Sequence, residues 1–553
     1  MKSPAPEVVD IDAKQVREAL DRISSKIDKE DFELLNKVLG TLMFLTSLLR
    51  AKQATVARLR RYLGIESTEK TQGLLDGRRD EQGPVNAPAT ASELAAAEQS
   101  PPQEQADSTA AKPKRKGHGR IAADQYENAT RIPTPHPSLE TGATCPCCPG
   151  KLHGLDPACI LRVFGQPNLI AKCWELQRLR CASCGQVYTA PEPTEARGPK
   201  YDESAKSTIA FLRFGAGLPH HRLARMQQDQ QTPIPASTQW ELIEDAAHAL
   251  WPVVQELKSR AAQGTVIHND DTYVRILQYM GKTRAELLKR GEFEAPDRTG
   301  LFTSAVVSKT AEGPICLFYT GRKHAGENLA NLLLQRASDL HAPVLMSDAL
   351  SRNLPKSHAV EEANCLAHGR RNFVDEFGNY PEHCTHILTE LRKVFVIEKQ
   401  CAGLDETQRF KRHKVQSAPI MRALHLWLKE LMRSKSVEPN SGLGRSINYM
   451  LKRWKKFTLF TRKRGVPLEN NIAERALKRS ILHRRNSLFF RTQHGADLGD
   501  IYMSIIHTAE LHGANPWDYL NVVQRHAAAV RLTPSKWLPW NYKATAEPAR
   551  PRP

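Results

Sequence analysis

The sequence predicts an α/β protein whose central domain, residues 264–510, is built around a small sheet that carries acidic residues. Three observations support this fold class. Three runs rich in β-branched and aromatic residues predict antiparallel strands, at 264–277, 301–308 and 314–319. A helical pattern is then followed by two shorter runs typical of strands, with the helix at 325–336 and the strands at 342–348 and 363–368. Further helical patterns predict an insertion at about 386–460, from the segments 386–399 and 408–435.

The charge of the chain points to a polyanionic partner. It contains 79 Lys and Arg against 60 Asp and Glu, a net charge of +19 over 553 residues. Neutralising phosphates releases counterions, so such a surplus suits DNA, although a generally basic protein is the alternative. No apolar run is long enough for a transmembrane helix, and the first residues lack the apolar core of a signal peptide. We therefore expect a cytoplasmic protein with no membrane partner.

The N-terminal part is predicted to be a helix followed by a linker. Apolar residues recur every seven positions within residues 11–70, at Leu35, Leu42, Leu49, Val56 and Leu63. This spacing is typical of a coiled coil, which would make the protein a homo-oligomer. An amphipathic helix packed on its own chain is the alternative. Residues 71–130 have the composition of a disordered linker and end in the basic tract 112–120, which either grips phosphates or is simply solvated.

Seven of the eleven cysteines lie between positions 145 and 184. Two pairs have the C-x2-C spacing in which both thiolates of one turn bind the same Zn²⁺, and these are Cys145 with Cys148 and Cys181 with Cys184. We expect these four cysteines to form a structural zinc module over residues 140–195. The alternatives are buried free cysteines, or other ligands among Cys147, Cys159 and Cys173.

Residues 200–262 are predicted to be helical, with spans at 204–214, 219–227 and 237–262. Short helices joined by Gly-Leu-Pro and Pro-Ile-Pro turns can form a DNA-binding helix-turn-helix. The same pattern is common in plain helical bundles, so both interpretations stay open.

Three acids have the contexts of a carboxylate triad. Asp270 lies in the first predicted strand, Asp348 ends the fourth, and Glu474 opens a helix. Hard divalent cations prefer oxygen ligands, and two such ions stabilise both the attacking and the leaving oxygen of a phosphodiester reaction. Asp271 competes with Asp270, but neighbouring strand residues point to opposite faces and only one can belong to the site. Asn471-x-x-Glu474 is also a capping-box pattern, which would make Glu474 structural.

Basic residues near these acids are candidate DNA contacts. His368, Arg370 and Arg371 follow the last predicted strand, and they either contact phosphate or pair with nearby acids such as Asp375. The segment 445–491 contains 14 Lys and Arg interleaved with aromatic residues, a pattern that suits a nucleic-acid track. Its predicted DNA contacts are Lys455, Lys456, Arg475, Arg479, Arg484 and Arg485.

Four sequence motifs occur in a characteristic order along the chain. They are His268-Asn-Asp-Asp-Thr272, Cys365-Leu-Ala-His-Gly-Arg-Arg-Asn-Phe373, Asn470-Asn-Ile-Ala-Glu-Arg-Ala-Leu-Lys-Arg479 and Arg484-Arg-Asn-Ser-Leu-Phe489. The chain resembles the transposase C family of bacterial insertion sequences of the sixty-six type, which are DDE transposases, over roughly residues 30–70 and 112–525. It departs from the family at Asp271, Tyr273 and Glu469 and in the Ala-Leu-Ser-Arg run after Asp348. The predicted order of three strands, helix, strand, helix and strand resembles a ribonuclease H-like core.

The resemblance implies a DNA transposase that cuts the ends of its element and joins the 3′-hydroxyl to target DNA. It selects Asp270 over Asp271 and implies that Asp270, Asp348 and Glu474 bind Mg²⁺ or Mn²⁺ as the catalytic residues. It also implies double-stranded DNA and two small accessory proteins as partners, a nucleoid-associated location, and a C-terminal segment at 511–553. Two alternatives are a metal-dependent nuclease or domesticated transposase that does not integrate, and an inactive zinc-containing DNA-binding regulator.

Overall fold

A computed structural model of the chain describes residues 166–546, except 181, 183–185 and 293–296. It also describes short segments at 132–134, 136–144, 146–148 and 150–153 and the single residues Asp28 and Phe32. Apart from these two residues, the predicted coiled coil at 11–70 lies outside the described residues, and so does the linker at 71–130. The structure is α/β, with a mixed five-stranded sheet surrounded by helices.

Seven strands form two sheets in the described part of the chain. A two-stranded ribbon consists of β1 (Arg178–Arg180) and β2 (Val187–Thr189). The main sheet contains β3 (Val266–Tyr273), β4 (Phe302–Thr310), β5 (Gly313–Gly321), β6 (Val344–Ser347) and β7 (Glu361–Asn364). Its order is β5-β4-β3-β6-β7, with β3 antiparallel to β4 and parallel to β6. The five predicted strands are thus confirmed, although the last begins and ends earlier than 363–368.

Sixteen α-helices lie in the described residues. The first group is α1 (Glu203–Ala210), α2 (His220–Asp229), α3 (Ala236–Ala262), α4 (Gly281–Lys289) and α5 (Ala325–Leu333). The second is α6 (Leu366–Asp375), α7 (Pro381–Gln400), α8 (Glu406–Arg412), α9 (Ala418–Arg433), α10 (Gly442–Lys452) and α11 (Trp454–Phe457). The last is α12 (Asn471–Ser487), α13 (Gln493–Leu511), α14 (Pro516–Arg525), α15 (Ala527–Leu532) and α16 (Tyr542–Ala546).

The main sheet separates two hydrophobic cores. Because neighbouring strand residues point to opposite faces, Ile267 and Leu345 lie in the first core, whereas Val266 and Val344 lie in the second. The first core also contains buried residues of α1, α3, α12, α13 and α14. The second is built from α6, α7, α9 and α10. The segment predicted as a helical insertion therefore supplies most of the second core.

Two expectations need correction. The helix that a ribonuclease H-like order places between the last two strands is a short 3-10 turn, Ser351–Asn353. His368, Arg370 and Arg371 belong to helix α6, which starts two residues after β7. For α3, eight of the ten buried residues belong to the first core, which favours the helical-bundle interpretation over a helix-turn-helix.

No helix in the described part of the chain combines the length and the apolar composition needed to cross a membrane.

Candidate active site

Adjacent parallel strands bring Asp270 and Asp348 to the same part of the sheet. The register pairs His268 of β3 with Met346 of β6. Asp270 lies two residues beyond His268, and Asp348 lies two residues beyond Met346. Glu474 lies in the first turn of α12, which packs against β3 and β4. Two strands and one helix therefore bring the three acids near enough for Asp348 and Glu474 to raise the pKa of Asp270.

The charge state of Asp270 reflects this crowding. Burial raises the pKa of the Asp270 carboxyl to about 7, and the negative charges of Asp348, Asp271 and Glu474 contribute to the rise. The backbone N–H of Asp271 donates to Asp270 Oδ1 at 2.8 Å and opposes the shift. A site with so much negative charge is stabilised by a cation. Carboxylate oxygens are the ligands that Mg²⁺ and Mn²⁺ prefer, so the chemistry of these three side chains suits such an ion.

Asp348 is held by the turn that follows it. Asn353 Nδ2 donates to Asp348 Oδ1 at 2.7 Å, and the backbone N–H of Leu350 donates to the same oxygen at 3.2 Å. Ala349 between them has a φ of 70°, which few non-glycine residues adopt. Within the described residues nothing bonds Asp348 Oδ2. One oxygen is thus fixed, and the other is left for a ligand.

Glu474 is not part of a capping box. The N-cap residue of α12 is Asn470, and its backbone N–H donates to Cys365 Sγ at 3.2 Å instead of to Glu474. The capping interpretation is therefore wrong. Glu474 Oε1 lies 3.6 Å from His368 Nδ1, a buried atom with no hydrogen-bond partner among the described residues.

Cys365, His368 and Glu474 form a group that could hold a metal ion, since their ligand atoms lie within 4.8 Å of one another. Burial raises the pKa of the Cys365 thiol to about 11, so it stays protonated at neutral pH. Cys365 is fully buried, and its Sγ accepts a hydrogen bond from the backbone N–H of Asn470 at 3.2 Å. We therefore assign Cys365 to the core and leave the carboxylate and imidazole of this group as donors.

Sequence patterns assigned no role to His268 and Asn470, but in the structure these two residues link the elements that carry the acids. His268 and Asn470 are both buried, and His268 Nδ1 lies 3.0 Å from Asn470 Oδ1. Asn470 Nδ2 also donates to the carbonyl of Asn269 at 3.0 Å. Burial lowers the pKa of His268 to about 4, so its ring is neutral and Nδ1–H can donate to the amide oxygen. This link ties the start of α12 to β3 beside Asp270.

Asp271 points away from the other acids. Its buried carboxylate lies 3.0 Å from Arg352 and 3.0 Å from His324 Nδ1. An acid already paired with an arginine is a poor candidate for metal binding. The geometry therefore favours Asp270, as the resemblance implied.

The predicted DNA contacts fall into two groups. Arg479 is only 13% exposed, donates to both Glu510 oxygens at 2.6–2.7 Å and donates to the carbonyl of Gly215. Arg370 is 8% exposed, and Lys456 pairs with Glu362 at 2.6 Å. These contacts favour structural roles for Arg370, Lys456 and Arg479. The exposed members are Arg371, Lys455, Arg475 and Arg485.

Arg484 is half-buried, so its exposure is intermediate between that of the two groups. Its guanidinium is 3.9 Å from the centre of the Tyr273 ring and donates to Thr272 Oγ1 at 2.9 Å. Both partners belong to β3, the strand that carries Asp270.

Three of the six aromatic residues of segment 445–491 are unavailable to bases. Phe457, Phe460 and Phe490 are between 1% and 6% exposed. The prediction that this set of rings stacks on displaced bases is therefore wrong for these three. Phe489 is 38% exposed and remains accessible.

Three of the four predicted zinc ligands fall outside the described residues. This applies to Cys145, Cys181 and Cys184, whereas Cys148 is described and exposed.

One family model and at least two uncharacterized proteins match this chain. A model described as the Transposase IS66 family matches residues 200–498, which include all three acids. Uncharacterized protein y4hP of Sinorhizobium fredii (strain NBRC 101917 / NGR234) is 27% identical over 522 residues, which is 89% of this chain and 89% of that protein. Uncharacterized protein y4jD of the same strain is 26% identical over 420 residues, covering 72% and 78%.

Proposed function

Because the chain belongs to the transposase IS66 family, we propose that it is a DNA transposase with Asp270, Asp348 and Glu474 as its catalytic acids. It would cut the ends of a bacterial insertion sequence and join the freed 3′-hydroxyl to target DNA. The convergence of the three acids carries the proposal, and it is expressed in the raised pKa of Asp270. An inactive regulator would have no need to keep such a costly cluster.

The topology supports a ribonuclease H-like core. The sheet order β5-β4-β3-β6-β7 joins an antiparallel three-stranded unit to two parallel strands. Asp270 lies on the first strand of this sheet, Asp348 follows the fourth, and Glu474 lies on a helix against it. On this proposal α7 to α11 are the insertion between the last strand and the catalytic helix.

The three acids would hold two Mg²⁺ or Mn²⁺ ions. When bound, these ions stabilise charge on the attacking and leaving oxygens of an in-line phosphoryl transfer. The chain's own task is to keep its ligands in place. Asn353 fixes one oxygen of Asp348, and Asn470 with His268 fixes the start of the helix that carries Glu474. No covalent intermediate is needed, so no Ser or Tyr nucleophile is proposed.

Exposed basic residues would hold the DNA at this site. Arg475 lies next to Glu474, and Arg485 lies further along the same helix. Arg371 and Lys455 are exposed on the side of the second core. Arg484 and His368 flank the acids, where they can meet the scissile phosphate.

The test is metal-dependent cleavage of DNA that carries the terminal inverted repeats flanking the gene. The wild-type protein should release a 3′-hydroxyl at the element end in Mg²⁺ or Mn²⁺ and transfer it to a second DNA. Asp270→Asn, Asp348→Asn and Glu474→Gln should each lower the cutting rate by at least about 100-fold. All three variants should bind the same DNA as well as the wild-type protein does.

Asp271→Asn is the matched control, since it removes a neighbouring charge that pairs with Arg352. It should keep metal-dependent cutting. If Glu474→Gln cuts at the wild-type rate, the third ligand lies elsewhere. Cleavage without strand transfer would favour the nuclease alternative.

The remaining parts are proposed from sequence. Cys145, Cys148, Cys181 and Cys184 would bind one structural Zn²⁺, and the helix at 11–70 would pair two copies on two DNA ends. Small accessory proteins and association with the nucleoid belong to the same proposal. Metal analysis of the purified protein should find about one Zn²⁺ per chain, and Cys181→Ser should lose it.

A further inference from the structure

A groove of about 930 Å³ lies at the C-terminal end of helix α12, the end opposite to Glu474. Its walls are the starts of α2 and α3 on one side and the segment that joins α12 to α13 on the other. This volume is in the usual range for ligand sites. Nothing in the proposed catalytic mechanism uses it.

A buried cation lies in this groove. Arg213 is 7% exposed and lines the groove, and its Nη1 donates to Ser487 Oγ at 2.9 Å. No carboxylate pairs with it among the residues that the structure describes, and its Nε has no hydrogen-bond partner there. Burial lowers the pKa of Arg213 to about 10, so it is still charged at neutral pH. A buried charge without a counter-ion is costly, and an anion in the groove would relieve that cost.

Two helix N-termini add positive potential at the same place. The N-cap residues of α2 and α3 are Pro219 and Pro235, and neither makes a side-chain capping bond. Pro219 and Ser237 line the groove, so the first turns of both helices open onto it. Free backbone N–H groups at a helix N-terminus bind phosphate well, and the helix dipole favours a negative charge there. Glu241, which also lines the groove, is exposed.

The rest of the wall is aromatic and apolar. Trp240, Leu488 and Phe489 line the groove. Leu488 is 59% exposed and Phe489 is 38% exposed, so both present apolar surface to solvent. Flat rings beside a phosphate site suit a nucleobase, because stacking on aromatic side chains accepts every base.

The groove is rigidly connected to the proposed active site. Helix α12 runs from Glu474 near its start to Ser487 at the groove, a distance of about 20 Å. The backbone N–H of Leu277, beyond the end of β3, donates to the carbonyl of Phe490 at 2.9 Å. About six nucleotides of B-form DNA span the same length, since each adds about 3.4 Å along a strand.

We propose that this groove binds unpaired nucleotides of the DNA substrate, with a phosphate on Arg213 and the two helix N-termini and a base against Trp240 and Phe489. The inference rests on the proposed function for its choice of DNA as the ligand. An unpaired strand fits better than a duplex, because a phosphate on a rigid duplex cannot reach a guanidinium that is 7% exposed.

The test measures binding of a fluorescein-labelled oligothymidylate of about twelve nucleotides by anisotropy, as a single strand and as a duplex with oligoadenylate. No divalent metal is added. Arg213→Gln in the full chain should weaken single-strand binding at least about tenfold and duplex binding less than about twofold. Arg433→Gln, which removes an equal charge from an exposed position, should change neither by more than about twofold.

The proposal is overturned if folded Arg213→Gln binds the single strand within about twofold of wild type, or loses single strand and duplex equally. If Arg213→Gln does not fold, Phe489→Ala takes its place and should weaken single-strand binding at least about fivefold, and an unchanged affinity overturns the proposal. Arg213-dependent binding without any cutting would refute only the transposase proposal, and cutting with Arg213-independent binding would refute only the groove.

Discussion

Asn470 offers the sharpest test of how the catalytic helix is held. Its side chain is fully buried and links His268 Nδ1 to the carbonyl of Asn269, each at 3.0 Å. Asn470→Ala leaves both partners buried without this amide. An unsatisfied buried polar group costs about 1–3 kcal/mol, so the variant should lose about 2–6 kcal/mol of unfolding free energy.

The neighbouring Asn471 is a matched control. Its amide contacts Glu469 and takes no part in the link to β3. Asn471→Ala should therefore lose less than about 1 kcal/mol. Urea denaturation followed by circular dichroism measures both variants. A double-mutant cycle between His268 and Asn470 should give a coupling of about 0.5–3 kcal/mol.

Activity provides the second readout. With the start of α12 released, Glu474 no longer has a fixed position relative to Asp270, and small misplacements of catalytic groups lower rates by about 100-fold. Asn470→Ala should therefore cut DNA far more slowly than wild type while binding it equally well. The reasoning fails if Asn470→Ala is as stable as wild type, or if Asn471→Ala costs as much in stability and rate.

Three further predictions concern other contacts in the structure. Burial raises the pKa of Asp500 from 3.8 to about 8, so the folded protein binds this proton more tightly than the unfolded chain does. The contribution of Asp500 to the unfolding free energy is therefore fully present below pH 3.8 and is lost as the pH rises through about 8. As the pH rises from about 5 to about 9, wild type should lose on the order of 4 kcal/mol of unfolding free energy relative to Asp500→Asn. Urea denaturation at both pH values measures this difference. Arg479→Ala should lower stability more than DNA affinity measured by anisotropy, and Arg485→Ala should do the reverse; equal effects on affinity would contradict this. Tyr449→Phe and Tyr542→Phe each remove one hydrogen bond worth about 0.5–1.5 kcal/mol, but only Tyr449→Phe should slow cutting.

Periodicity predicted most of the fold, because it reports which face of each element is buried. The long helix α3 and the strands β3, β4 and β5 appear within a few residues of their predicted positions. Helix α4 was missed, and none of its residues is buried, so it has no apolar stripe to detect. The connection between β6 and β7 shows the opposite case, in which the expected helix is only the 3-10 turn Ser351–Asn353.

The roles of individual polar residues depended on distant partners. Asn471 and Glu474 match a capping box locally, but the helix begins with Asn470 as its N-cap, and the Asn470 N–H donates to Cys365, 105 positions away. Arg479 matches a DNA-binding track, but Glu510 neutralises it from another helix. Arg213 gave no signal in sequence, since only the fold shows that no acid approaches it within the described residues. Local sequence patterns thus indicate which roles a residue could have, whereas contacts between distant segments decide which role it has.

The same dependence explains why the proposed active site lies where the two cores meet. Glu474 is carried by α12, whose residues Ala476 and Leu477 belong to the first core. Asp348 is approached from the second core, where Tyr449 of α10 donates to its backbone carbonyl at 3.2 Å. The site therefore needs both cores to be folded and held together across the sheet. Because the helices of the insertion supply most of the second core, they are a structural part of the site, and removing them would take away the Tyr449 hydrogen bond to Asp348.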